Sequence, residues 1–86
     1  MTRQERIEWL KQTVDERIQW VHDNDEFIAK CNEWIKQYRE WGWSDELEWA
    51  EGMRRKEYRA RAKNRKRVTY WQNELNEAEK KYGTEV

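Results

Sequence analysis

The sequence predicts an all-α fold: an antiparallel hairpin of two long helices that assembles into a dimeric or higher-order helical bundle. Three observations carry that expectation. Pro is absent and only three Gly occur in 86 residues, which leaves little material for the turns of a sheet protein. Charged residues make up 42% of the chain, a composition typical of long solvated helices. An apolar repeat of seven residues runs through the first half of the chain and stops at a glycine.

The elements follow in order. Thr2, with Glu5 three residues on, forms a capping box that starts a helix near Arg3. Ile7, Val14, Val21, Ile28 and Ile35 then hold one heptad position, a β-branched seam. Three residues after each stand Leu10, Arg17, Asn24, Cys31 and Tyr38, a second seam that is polar in its middle. A third series, one residue before the first, holds Thr13, Trp20, Phe27, Trp34 and Trp41. Gly42 suits the left-handed position that ends a helix, so the first helix spans residues 3–41.

Ser44 is a good N-cap, and Asp45 and Glu46 follow where acids favour the helix dipole. Beyond them Gly52 is the one interior glycine, and Gly83 can close the end, which gives a second helix over 45–82. Each helix is nearly 60 Å long at about 1.5 Å per residue. Matched lengths and a very short loop force the chain back on itself. Facing residues then have numbers that sum to roughly 86, given the antiparallel pairing. Leu10 falls opposite Leu75 and Asn76, Val14 opposite Trp71 and Gln72, Arg61 opposite Asp25, and Tyr38 opposite Leu47.

Length limits the chain to a single domain, residues 1–86. Aliphatics are sparse, but seven Trp, four Tyr and one Phe argue against disorder, as does a net charge of zero. A few large rings, each able to bury about 150–250 Å², must supply much of the core. On a helical wheel the apolar arc of the first helix covers roughly 160–200°, wider than the ~100° stripe one neighbour needs. A homo-oligomer is the simplest way to cover the remainder.

No apolar run approaches the ~20 residues of a spanning helix, so no membrane is expected as a partner. The opening Met-Thr-Arg-Gln-Glu-Arg lacks the apolar stretch of a secretory signal, which points to the cytoplasm. A single cysteine, Cys31, excludes an intrachain disulfide and lies on the seam as a small core filler. His22 and Glu26 share a helix face but have no further metal-binding partners. Asp23-Asn24-Asp25-Glu26 lacks the Gly and distant Glu of a calcium loop. Thr84-Glu85-Val86 fits a strand-adding peptide ligand only superficially. No nucleophile–base pattern, P-loop or dinucleotide fingerprint is present. The expectation is therefore a chain that binds and does not catalyse, with no cofactor and no metal.

Charge supplies the strongest chemical signal. Between Arg54 and Arg67 lie nine basic residues and one acid, Glu57, whereas residues 1–53 carry seven basic and thirteen acidic groups. Arg55, Lys56, Arg59, Lys63, Lys66 and Arg67 point away from the seam, and Tyr70 joins them. Arg54, Arg61 and Arg65 point toward or beside it, facing the acidic belt His22–Glu26. Two readings stand for Arg61 and Arg65: interhelical ion pairs that fix register, or part of an anion site. The outward stripe Arg55, Arg59, Lys63, Lys66 and Arg67 is either a solvated face or a phosphate-binding one, with Tyr70 as a stacking ring. The tryptophans divide likewise between core and interface. Trp20, Trp34, Trp41, Trp43 and Trp49 are the interface candidates, and Trp9 with Trp71 should form one cluster at the open end.

Short, Trp-rich, highly charged and without catalytic motifs, the chain is similar in style to small phage-encoded accessory proteins. Among these it looks most like helical counter-defence proteins, which sequester nucleotide immune signals or block a host nuclease complex. The resemblance implies a viral protein in the host cytoplasm, with a nucleotide or nucleic acid as partner, or a host defence protein. Three functions compete: capture of an anionic nucleotide or short nucleic acid on the basic face, inhibition or adaptation of a host complex through exposed tryptophans, and a structural coiled-coil role in a larger assembly.

Overall fold

A computed structural model describes residues 1–82; Gly83 and the Thr84-Glu85-Val86 terminus lie outside the described residues. Two helices, α1 (Arg3–Trp41) and α2 (Ser44–Tyr82), form an antiparallel hairpin with overall dimensions of 65 × 18 × 14 Å.

Thr2 is extended and its hydroxyl accepts the Glu5 N–H at 3.1 Å, while the Arg6 N–H reaches the Thr2 carbonyl at 3.0 Å. Gly42 takes φ 72°, ψ 24°, the left-handed conformation that costs glycine little. Its N–H donates to the Arg39 carbonyl and the Trp43 N–H to that of Tyr38, at 3.3 and 3.0 Å, which is the Schellman closure. The accompanying apolar contact is present too: the Tyr38 and Trp43 rings lie nearly parallel, 6.0 Å between centroids.

Here the structure departs from the sequence expectation at one residue. The Leu47 N–H donates to the Trp43 carbonyl at 2.9 Å, so α2 begins at Ser44 and Trp43 stands in the capping position. The Schellman turn already aims the Trp43 carbonyl along the new helix, which leaves Ser44 in the first turn. The Tyr38 ring also packs against Trp41 and Trp43.

The interior runs in three stretches. At the open end Leu10, Val14, Leu75 and Ala78 form a buried cluster, closed by Ile7, Trp71 and Tyr82. Near the turn Ile28, Cys31, Ile35 and Ala50 are buried. Between them the core is polar. Asn24 is buried, donates to the Glu57 carboxylate at 2.6 Å and accepts from the Asn64 amide at 2.8 Å. A buried amide held at both ends fixes one register, because any slip leaves it without partners. The pairings Asp25–Arg61 and Asn32–Arg54 fall at the expected positions. Among the described residues no helix is long and apolar enough to cross a membrane.

Candidate functional site

The seam leaves two flanks and an outer face. On the first flank α1 and α2 meet through polar bonds. Arg61 donates to Asp25 at 2.8 Å, Arg54 donates to Asn32 at 2.9 Å, and Arg39 stands 3.6 Å from Glu51. The Arg61 hydrogen bond is the main reason the Asp25 carboxyl titrates below its ordinary 3.8, with the charges of Arg61, Arg65 and His22 acting in the same direction. Arg61 also lies 5.0 Å from the Tyr58 ring centre. Farther along this flank a shallow groove of about 360 Å³ is lined by Ile18, Val21, His22, Arg65, Val68 and Thr69.

The second flank is aromatic. Trp9 and Trp71 meet edge to face at 5.5 Å, as the spacing predicts. Trp34 packs between Phe27 at 6.0 Å and Trp49 at 5.5 Å, bridging the two helices. Trp20 carries the Arg17 guanidinium 3.9 Å above its ring. Arg17 occupies a seam position, and its buried Nε has no hydrogen-bond partner; the charge escapes the seam by turning onto Trp20. At the turn Trp41 and Trp43 lie 4.8 Å apart and remain about half exposed, 54% and 49%. Steps of three and four continue this flank along α2 through Trp49, Met53, Lys56 and Ala60, and lead on to Lys63 and Arg67 at its border with the outer face.

The outer face of α2 carries the basic stripe. Arg55, Arg59, Lys63, Lys66 and Arg67 are exposed, and Tyr70 is 57% exposed at its end. None of the five lies within ion-pairing distance of an acid among the described residues; Arg67 reaches the Asn64 side-chain oxygen at 3.5 Å.

The structure therefore sorts the candidates. Arg61 is turned inward and paired with Asp25, so it belongs to the register and is removed from the anion set. Arg65 is exposed and reaches the acidic belt only through its field at Asp25, because Asp25 is already taken by Arg61 one turn nearer the core. Trp20, Trp41, Trp43 and Trp49 are exposed, whereas Trp34 is half-buried and occupied by neighbours within its own chain. The Asn24–Glu57–Asn64 bridge escaped the sequence reading. Its signal was present: Glu57 is the single acid in the basic block and shares a helix face with Arg61 and Asn64. Among the described residues no three His, Cys, Asp or Glu side chains stand together in a way that could hold a metal ion. No family model, curated protein or solved structure matches the chain.

Proposed function

We propose that this chain is a non-catalytic binding protein that takes up the phosphate backbone of a short nucleic acid on the outer face of α2. The exposed, unpaired row Arg55, Arg59, Lys63, Lys66 and Arg67 supports the reading. Like charges three and four residues apart repel on a helix, and a bound polyanion relieves that repulsion while gaining attraction to each cation. The stripe from Arg55 to Tyr70 is straight and about 22 Å long at ~1.5 Å per residue. A convex helix offers a row of charges and no pocket, so an extended backbone suits it better than a compact nucleotide. Tyr70 gives a terminal base a ring to stack on. A counter-defence protein would use such a face to sequester its ligand.

Fluorescence anisotropy with a labelled single-stranded oligonucleotide tests the proposal. Binding at ~50 mM salt should weaken steeply as salt rises, with a log–log slope of about −3 for four phosphate contacts. Arg59→Glu with Lys63→Glu should lower affinity more than tenfold, at unchanged helical content. A wild type that binds neither oligonucleotide nor polyphosphate at ~50 mM salt, where screening is weak, removes the proposal.

The exposed Trp41–Trp43 pair favours a second reading, an anchor for a host protein. Docking of that kind would survive the salt that strips phosphate binding.

A further inference from the structure

We propose that a second copy of this chain docks on the aromatic flank, antiparallel and offset toward the turn, around a two-fold axis between Phe27 and Trp34. The rings of α1 recur every seven residues. A two-fold at that level sets Trp20 of one copy against Trp41 of the other, and Phe27 against Trp34. Both contacts occur twice, as an isologous interface requires.

The charges choose this offset. Residues 33–53, the turn end of the rod, carry six acids and two bases. The middle, residues 18–32 with 54–68, carries four acids and ten bases. The offset lays each acidic turn end along the basic middle of the other copy. On α2 it brings Glu48 opposite Lys63, and Asp45 opposite Lys66. A flush antiparallel pairing would instead set each basic middle against the other. Lys30 and Lys56 are left close to the axis, and their long stems let the ammonium groups reach water at the rim.

Two further observations fit. Gly52 sits inside α2, where glycine weakens a helix, and the hairpin has no use for it: an added Cβ would meet only the Arg55 guanidinium, at 3.9 Å. On this flank a bare backbone lets a second helix approach closely. Beside it Trp49, Met53, Lys56, Asp45 and Glu48 line an open groove of about 420 Å³. The chain exposes 6724 Å², whereas a compact monomer of 10.9 kDa exposes about 5,600 Å². The difference exceeds the ~800 Å² per partner that a standard interface takes. The same register sets Arg59 opposite Gly52 and takes Lys63 and Lys66 into contacts between copies, so the dimer and phosphate uptake on this stripe compete.

Sedimentation equilibrium of the full chain, with helical content followed by circular dichroism, decides the matter. The wild type should weigh about twice 10.9 kDa at ~10 µM. Gly52→Leu has room within the hairpin and removes a helix-weakening glycine, so it should keep or raise helicity while weakening the dimer at least tenfold. Glu48→Lys should weaken the dimer about fivefold, and adding Lys63→Glu should restore it to within about twofold of wild type. A wild type of 10.9 kDa at ~100 µM overturns the proposal. An unaltered dimer in both Gly52→Leu and Trp41→Glu overturns it as well. A double charge variant weaker than either single one overturns the offset.

Discussion

The two flanks of the hairpin join the same helices by opposite means. On one, Asp25–Arg61 and Asn32–Arg54 tie α1 to α2 with directional hydrogen bonds between partly exposed groups, and Arg39 adds a looser ion pair to Glu51. On the other, Phe27, Trp34 and Trp49 do so with area. Directional bonds tell the helices where to stop sliding but bring little net free energy at the surface. Rings bring free energy but tolerate sliding, since an edge-to-face pair accepts a range of geometries. With so few buried aliphatics the hairpin needs both, and the buried Asn24 bridge lies between them.

Three experiments test that contrast, in order of expected effect. Trp34→Ala removes a half-buried ring and both of its aromatic contacts, and should cost about 2–4 kcal/mol in urea unfolding. A loss under about 1 kcal/mol would show that the aromatic flank is decoration. Asn24→Ala leaves the Glu57 carboxylate and the Asn64 amide without their shared partner, and should cost about 1–3 kcal/mol. Disulfide-trapping pairs placed one turn out of register should then form faster than in wild type; if they do not, register is held elsewhere.

The smallest effect belongs to the ion pair. Asp25 has its folded pKa depressed, so its stabilising contribution is present above the ordinary 3.8 and is lost as pH falls through the lower folded value. Asp25→Asn should flatten the acid side of the stability profile below about pH 4, with little change at neutral pH in high salt. An unchanged acid limb would mean that other carboxylates govern it.

The hairpin, its helix ends and its register were legible from local rules. Gly42, the Thr2 cap and the seven-residue seam need only spacing, and the sum rule that put Arg61 opposite Asp25 needs only a short loop. What resisted was every choice between equivalent partners. For Arg61 and Arg65 the sequence left ion pair and anion site equally open, and the structure pairs Arg61 with Asp25 while Arg65 stays exposed. Trp34 and Trp41 share a heptad position, yet Trp34 finds Trp49 across the seam, whereas Trp41 falls opposite Asp45 and packs on Tyr38 and Trp43 instead. Ser44 looked like a cap because its side chain suits that role; the backbone geometry of Gly42 gave the position to Trp43. The outer stripe was legible as a face, since periodicity alone puts Arg55, Arg59 and Lys66 away from the seam.

Trp43 closes one helix with its N–H and opens the next with its carbonyl, so the two helices share a single hinge residue and have no slack between them. The rotational phase of α2 about its own axis is thereby geared to that of α1. One residue inserted in the first turn of α2, just after Trp43, would turn the rest of α2 by about 100°. That rotation would carry the basic stripe from the outer face onto a flank and draw Arg61 away from Asp25, without altering a side chain on either helix. The two-residue turn acts as the index mark of the molecule, the point that decides which way all its charges face.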